Sequence, residues 1–230
     1  MKLLIFADIH GDLDKLYRTI SQLDEKPDAV LVAGDFTPFG PASIVPDELK
    51  LLKQASPHVL AVPGNEDPDD VRKQMKDVNI HGKSVRLQDV DVIGFEGATW
   101  VDTDVGSMMS YEPVHEHFKN PGRRKLLLTH VPPFDTKVDR LWTGRHVGSP
   151  FLRSMVEEYQ PDLVVSGHIH EARGVDRIGK TVVLNPGALA DGYSAEVNME
   201  KGKTPEIQTF KLTRKGLKKE KLEVPPPSGT

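Results

Sequence analysis

The chain has 230 residues, 37% of them hydrophobic and 28% charged, which is typical of a soluble globular protein rather than a disordered one. The absence of cysteine excludes disulfides, zinc ribbons and thiol nucleophiles. The net charge of −4 gives no reason to expect a polyanionic partner. No segment approaches the roughly 18 continuous apolar residues of a membrane span, so we expect no membrane partner. The lack of cysteine is compatible with a reducing cytosol, and we expect a cytoplasmic protein.

The first third of the chain alternates apolar runs with helical patterns. The apolar runs, each of which predicts a buried strand, are residues 3–7, 29–33 and 59–62. The helical patterns that follow them are residues 13–23, residues 47–55 and a segment after Asp67-Pro68. That pair is typical of an N-cap, Asp67, followed by proline at the first helical position.

Hairpins and loops become more frequent later in the chain. Residues 85–97 alternate apolar and polar side chains, which predicts antiparallel strands, whereas residues 99–111 follow no regular pattern. Further strands are predicted at residues 126–128, 163–165, 196–199 and 207–212, with a hairpin over 175–184 that turns at Gly179-Lys180. Residues 131–148 are rich in proline, glycine and charge, which indicates a functional loop. Ser149-Pro150 then opens a helix that ends at Tyr159.

This order of elements predicts one domain over residues 1–224, in which two sheets pack together with helices outside them. The closing residues 225–230 are interpreted as a flexible tail. The lysine-rich segment before the tail is interpreted as a solvated face.

Residues able to bind metal ions follow five of the predicted core strands. They are Asp8, His10, Asp35, Asn65, His130, His168 and His170. Any one of them has an ordinary explanation as a turn, cap or surface residue, but the same pattern at five strand ends argues against coincidence. Because ligand sites gather beyond the carboxyl ends of strands in such sheets, we expect these side chains to converge on one rim.

The donor types indicate which ions would bind. Imidazole, carboxylate and amide ligands without thiolate suit Mn, Fe, Zn, Ni or Co, and we favour Mn. Seven donors exceed the need of one ion but suit two divalent ions that share a carboxylate. Two ions roughly 3.5–4 Å apart can clamp a phosphoryl group and lower the pKa of a bridging water.

The sequence resembles the calcineurin-like metallophosphoesterases, and in particular their small prokaryotic phosphodiesterase-like branch. The similar motifs, in the order of the family, are Asp8-Ile9-His10, Gly34-Asp35, Gly64-Asn65, His130 and Gly167-His168-Ile169-His170, with Asn185-Pro186-Gly187 after the late hairpin. The resemblance implies a four-layer α/β/β/α sandwich of two mixed sheets. It also implies hydrolysis of a phosphate ester by attack of a metal-bound hydroxide.

The resemblance further implies how the donors divide between two ions. Asp35 would bridge them. The other donors would be Asp8, His10 and His170 for one ion, and Asn65, His130 and His168 for the other.

The chain departs from many members of the family at Glu66, where those members have a histidine that acts on the leaving oxygen or the phosphoryl group. Loss of a positioned general acid typically costs about 10²–10⁴-fold in rate. Glu66 is a poor replacement, because nearby cations favour its ionised form and that form repels phosphate. The loop over residues 143–149 offers other groups: His146 could donate the proton, and Arg145 could hold a phosphate oxygen.

We therefore predict a binuclear-metal phosphoesterase, best described as a phosphodiesterase, that acts on a small-molecule phosphate ester. One alternative is a catalytically weak protein-binding scaffold, as in the retromer subunit that has this fold. The other is a nuclease, which the near-neutral composition disfavours although Arg123-Arg124-Lys125 forms a local basic patch. His115 and His117 match no ligand position of the family and are interpreted as surface residues.

Overall fold

A computed structural model describes residues 1–96, 112–119 and 122–226 of the chain. The predicted irregular segment 99–111 and the end of the predicted tail lie outside these residues. No helix within the described part of the chain is long and apolar enough to cross a membrane.

The first sheet contains the strands at both ends of the chain. Its strands are β1 (Lys2–Phe6), β2 (Ala29–Ala33), β3 (Val59–Val62), β10 (Tyr193–Asn198), β11 (Glu206–Thr213) and β12 (Gly216–Lys221). Their spatial order is β12-β11-β10-β1-β2-β3. The first three strands are parallel, and β10 to β12 join β1 as an antiparallel meander.

The second sheet is formed by the middle of the chain. Its strands are β4 (Ser84–Leu87), β5 (Val90–Phe95), β6 (Arg124–Thr129), β7 (Leu163–Val165), β8 (Gly174–Ile178) and β9 (Thr181–Asn185). Their order is β4-β5-β6-β7-β9-β8, in which the four central strands are parallel and the two edge strands antiparallel. Both sheets are therefore mixed, as expected.

Within the described residues, five α-helices cover the outer faces of the sheets. They are α1 (Leu13–Ile20), α2 (Val45–Ala55), α3 (Asp69–Gln74), α4 (Glu112–Phe118) and α5 (Pro150–Tyr159). Side chains of β1 alternate between the layers, since Leu3 and Ile5 face the second sheet whereas Leu4 and Phe6 pack with the first three helices. The last two helices pack in the same way against the second sheet. The predicted four-layer α/β/β/α sandwich is confirmed.

One local prediction needs correction, and the solvated lysine-rich face gains a secondary-structure assignment. Asp67 does not cap α3, which begins at Asp69 with Pro68 as its N-cap residue. The Asp67 carboxylate is buried and instead accepts hydrogen bonds from the backbone N–H groups of Gly64 and of residues 36 and 37. The lysine-rich segment forms the edge strand β12, in which Lys218 and Lys219 are exposed. Exposed lysines on an edge strand oppose pairing with further strands.

Glu48 is a fully buried carboxyl group on the inner side of α2. Its burial, together with the negative charge of Asp67, raises the pKa of Glu48 to about 9. Glu48 is therefore protonated in the folded protein at neutral pH, whereas in the unfolded chain it ionises near its ordinary pKa.

We predict that Glu48→Gln increasingly stabilises the protein as the pH rises. In the wild type, unfolding releases the Glu48 proton between the unfolded pKa of 4.5 and the folded pKa of about 9, so the stability linked to this group is lost across that window. A glutamine side chain does not titrate, so the variant does not lose this stability as the pH rises. Urea unfolding at several pH values should show the difference growing from about pH 5 to about pH 9. Asp47→Asn, at the exposed neighbouring position, should show no such trend, and a pH-independent difference for Glu48→Gln would contradict the prediction.

Candidate metal centre

The seven predicted donors lie beyond the carboxyl ends of parallel strands at one rim of the sandwich. Asp8 and His10 follow β1, Asp35 follows β2 and Asn65 follows β3. His130 follows β6, and both His168 and His170 follow β7. The first sheet thus supplies four donors and the second sheet three, so the site straddles the seam between the sheets.

One group of donors consists of Asp8, His10 and His170, whose potential ligand atoms all lie within 4.8 Å of one another. The Nε2 atoms of His10 and His170 face each other at 3.4 Å. An Asp8 oxygen lies 3.6 Å from the same His170 nitrogen, and both Asp8 oxygens accept from the backbone N–H of His168. Two facing imidazole nitrogens beside a buried carboxylate fit a bound cation, which lone pairs on both rings would attract.

A second group brings together Asp35, His130 and His168 within the same limit of 4.8 Å. The Nδ1 atom of the buried His130 donates to the carbonyl oxygen of Ala33 at 2.8 Å, because a carbonyl can only accept. Its Nε2 atom therefore points into the site, 2.9 Å from the Asn65 side-chain oxygen and 3.4 Å from Asp35. A histidine fixed through one nitrogen is a typical arrangement for ligation through the other.

A third group, His10, Asp35 and Glu66, connects the other two. Asp35 belongs to both this group and the second group, which is the placement that a shared carboxylate would require. Glu66 lies with Oε2 3.3 Å from Nδ1 of His10, and its backbone N–H donates to Asp35 at 2.8 Å. Glu66 is not among the seven donors predicted from the sequence, although its place next to Asn65 was the available signal.

The charges of these groups depend strongly on one another. Burial opposes protonation of His130, but the negative charges of Asp35 and Asp8 raise its pKa to about 9. Burial and the charge of His130 lower the pKa of His168 to about 4. Burial also opposes ionisation of Asp35, yet His130 lowers the Asp35 pKa overall. Without a cation, a proton on His130 therefore compensates the buried carboxylates; a divalent ion can take over this role.

The backbone is strained at the donors themselves. Asp8, His10, Asp35 and His168 have φ values of 52°, 49°, 50° and 68°, in the left-handed region. This conformation costs a non-glycine residue roughly 1–2 kcal/mol. Such strain clusters at functional sites, where the surrounding structure has to enforce it.

The glycines that precede three donors leave room for the site. A Cβ atom on Gly34 would lie 2.3 Å from the ring of His130, and one on Gly64 would lie 2.1 Å from a carboxylate oxygen of Asp35. A Cβ on Gly167 would lie 2.7 Å from an Asp8 oxygen. Each Gly-donor pair in the sequence thus lets the backbone of one strand end approach a donor from another.

His146 and Arg145 lie in the loop between His130 and α5 and belong to none of the three donor groups. The buried Asp139 organises this loop and accepts from His146 Nδ1 at 2.6 Å and from Gly148 N–H at 2.9 Å. Burial opposes ionisation of Asp139, but the hydrogen bond from His146 contributes to a lowered Asp139 pKa. The 3-10 turn Lys137–Asp139 contacts the 3-10 turn that carries His170, which places the loop beside the rim. Arg145 is exposed.

Two other features of the sequence lie away from the donors. His115 contacts the hydroxyl of Tyr159 at 2.9 Å, and His117 contacts a backbone carbonyl, so these two side chains are engaged within the protein. The basic patch Arg123-Arg124-Lys125 lies at the start of β6, at the end opposite His130. Within it, Arg123 and Arg124 are paired with aspartates.

A two-sheet sandwich with imidazole and carboxylate donors at the strand ends defines a metallophosphoesterase fold. The chain belongs to the calcineurin-like phosphoesterases, whose sequence family matches residues 1–172. This membership supports a metal-dependent hydrolase of phosphate esters.

Individual relatives share the architecture. An uncharacterised protein of Methanocaldococcus jannaschii is 29% identical over 195 residues, which cover 81% of this chain and 88% of that protein. The crystal structure of the protein TT1561 of Thermus thermophilus superposes with a TM-score of 0.71 at 18% identity, covering 91% and 98% of the two chains. Vps29 of Chaetomium thermophilum has a TM-score of 0.52 at 11% identity and 96% coverage of both chains. At these identities the two structures are similar to this chain in fold alone.

We predict that Gly64→Ala weakens metal binding, because the added methyl group would collide with the Asp35 carboxylate and backbone. Neither the carboxylate nor the backbone of Asp35 can move without displacing a donor. Titration calorimetry with Mn²⁺ should show a loss of about 10–100-fold in affinity, with circular dichroism to verify the fold.

The matched control is Gly174→Ala, where the nearest atom to a new Cβ would be 3.8 Å away. This variant should bind Mn²⁺ as the wild type does. Wild-type affinity in Gly64→Ala would show that the close approach of Gly64 to Asp35 is not needed.

Proposed function

We propose that the protein is a phosphodiesterase that depends on two divalent metal ions, with Mn²⁺ favoured, and acts on a small organic phosphate ester. The observation that carries the proposal is the position of Asp35, which shares one donor group with His130 and His168 and another with His10. We assign Asp8, His10 and His170 to one ion, Asn65, His130 and His168 to the other, and Asp35 to both.

The donor set fits such ions, as judged by the buried carboxylates and the inward-facing imidazole nitrogens. Two bound divalent ions supply charge that neutralises phosphoryl oxygens and lowers the pKa of a water molecule. The residues of the chain would hold the ions, while the hydrogen bonds from His130 to the Ala33 carbonyl and from the His168 N–H to Asp8 keep the donors in position.

Glu66 supports a preference for diesters over monoesters. In the metal-free protein, burial and the negative charge of Asp35 raise the pKa of Glu66, but bound cations favour the ionised form. An ionised Glu66 at the rim repels a dianionic monoester more strongly than a monoanionic diester. The residue that departs from the common family pattern thereby contributes to substrate selection in our proposal.

Exposed aromatic side chains in loops that also carry residues of the proposed site suit an organic substituent on the phosphate. Phe39 is 67% exposed, and its backbone N–H donates to the Glu66 carbonyl at 3.0 Å. Trp142, which is 88% exposed, stands in a turn of the loop that follows His130, closed by a hydrogen bond from Gly144 N–H to Leu141. Aromatic faces at such positions can pack against apolar or aromatic groups of a substrate.

For the leaving group, we propose His146 as the proton donor and Arg145 as a contact for a phosphate oxygen. Asp139 holds the ring of His146 through Nδ1. The other nitrogen, Nε2, lies 3.7 Å from the exposed Asp135, which leaves it accessible for proton exchange. Among the described contacts, none engages the guanidinium of Arg145.

The two alternatives have less support. The pairing of Arg123 and Arg124 with aspartates, away from the donors, does not favour a nuclease. Similarity to the fold of Vps29 is compatible with a scaffold, but a scaffold would have no use for seven clustered donors. The cytoplasmic location stays a prediction that the cysteine-free composition suits.

We predict that the protein loaded with Mn²⁺ hydrolyses bis(4-nitrophenyl) phosphate about tenfold or more faster than 4-nitrophenyl phosphate, because the monoester meets stronger repulsion. Steady-state rates at equal metal loading measure this ratio. Glu66→Gln should retain diester activity and reduce the preference, whereas Asp35→Ala should abolish activity and lower the bound metal below two equivalents. Faster turnover of the monoester, or full activity of Asp35→Ala, would refute the assignment.

We predict that the effect of His146→Ala depends on the leaving group. A diester with an alkyl leaving group needs protonation, so its rate should fall by about 10²-fold or more, while a nitrophenyl diester should change little. The measurement is a series of diesters whose leaving-group pKa values differ. An equal loss across the series would assign His146 to binding rather than proton transfer, and no loss anywhere would place it outside the site.

A further inference from the structure

Arg72 makes three polar contacts at the edge of the metal centre. From the last turn of α3, its Nε atom donates to the carbonyl oxygen of Asp67 at 2.7 Å, and Nη2 donates to that of Gly64 at 3.0 Å. These two carbonyls flank Asn65 and Glu66, so the guanidinium holds both ends of the loop that carries them. The third contact, from Nη1, is an ion pair with Glu96.

Glu96 lies at the end of a strand of the second sheet and contacts the backbone of His130. It follows the last residue of β5, and its carbonyl oxygen accepts a hydrogen bond from the backbone N–H of His130 at 3.0 Å. Its own N–H donates to Nδ1 of His81 at 3.1 Å. Glu96 is thus fixed on its backbone from two sides, while its carboxylate reaches across to Arg72.

These contacts connect the loop of Asn65 with His130, and the two residues are themselves neighbours. The loop held by Arg72 presents the Asn65 oxygen 2.9 Å from Nε2 of His130. Asn65 belongs to the first sheet and His130 to the second, so the separation between them depends on how the two sheets meet at this rim. Arg72 and Glu96 connect the sheets beside this pair of donors.

We propose that Arg72 is a positioning residue that sets the distance between Asn65 and His130 through its contacts with Gly64, Asp67 and Glu96. The inference rests on the assignment of Asn65, His130 and His168 to one ion in the proposed function. Asp8, His10 and His170, which hold the other ion, take no part in these contacts.

A guanidinium suits this role because its planar fork of donors can satisfy several acceptors in fixed directions at once. The side chains of Arg72 and Glu96 are 29% and 23% exposed, so water can solvate Glu96 when Arg72 is replaced. The replacement should therefore change the geometry of the donors more than the stability of the fold.

The test compares Arg72→Met with Arg153→Met in the full chain. Arg153 is a close match, since it binds the carboxylate of Glu157 and two carbonyls, of Phe134 and Asp135, away from the assigned donors. In Arg72→Met, calorimetry with Mn²⁺ should show one ion bound about 10–100-fold more weakly and the other unchanged. Anomalous diffraction from Mn²⁺-soaked crystals should locate the lost ion at Asn65 and His130.

Amide hydrogen exchange of His130 in the metal-free protein gives a readout that does not depend on metal. Exchange should be faster in Arg72→Met than in Arg153→Met. Equal affinities in the two variants would overturn the inference, as would equal weakening of both ions together with a lowered Tm. If the wild type binds fewer than two ions, the proposed function fails, and unchanged exchange at His130 would then separately overturn the role of Arg72.

Discussion

Burial of the apolar faces between the two sheets determines where the other parts of the molecule lie. Leu3 and Ile5 of one sheet and Leu126 and Val165 of the other belong to one continuous core. Because the sheets pack with the carboxyl ends of their parallel strands at the same rim, side chains from residues far apart in the chain meet there. In the proposed assignment each ion would take donors from both sheets, so the metal centre would link the two halves of the sandwich directly.

This convergence has an electrostatic cost that the chain has to offset. Asp8 and Asp35 are almost fully buried, and an isolated buried carboxylate is strongly unfavourable. In the metal-free protein, backbone N–H groups and the proton on His130 compensate them. The site is therefore suited to a positively charged ligand. The left-handed backbone at four donors shows that the fold accepts local strain to keep them in place.

The convergence of the seven predicted donors at one rim could be expected from the sequence, because each one follows an apolar run whose length and composition already indicate a buried strand. Features that depend on distant partners were less accessible. Asp67 looks like a helix cap in the sequence, but its three N–H partners come from two different loops. Strand β12 was missed because most of its residues are charged or only partly buried. Nothing in the spacing of Arg72 indicates its contact with Glu96, which joins separate sheets.

The position of β1 within its sheet has a consequence for synthesis of the protein. This strand is central, yet one of its two neighbours is β10, so Lys2 pairs with Asn198. At the usual speed of translation, of about 5–20 residues per second, roughly 10–40 seconds separate the emergence of the two partners. During this interval the apolar edge of β1 is open to the wrong strand. Pairing with β2 covers only the opposite edge of β1, so the edge that β10 occupies stays unpaired until residues 193–198 have been made.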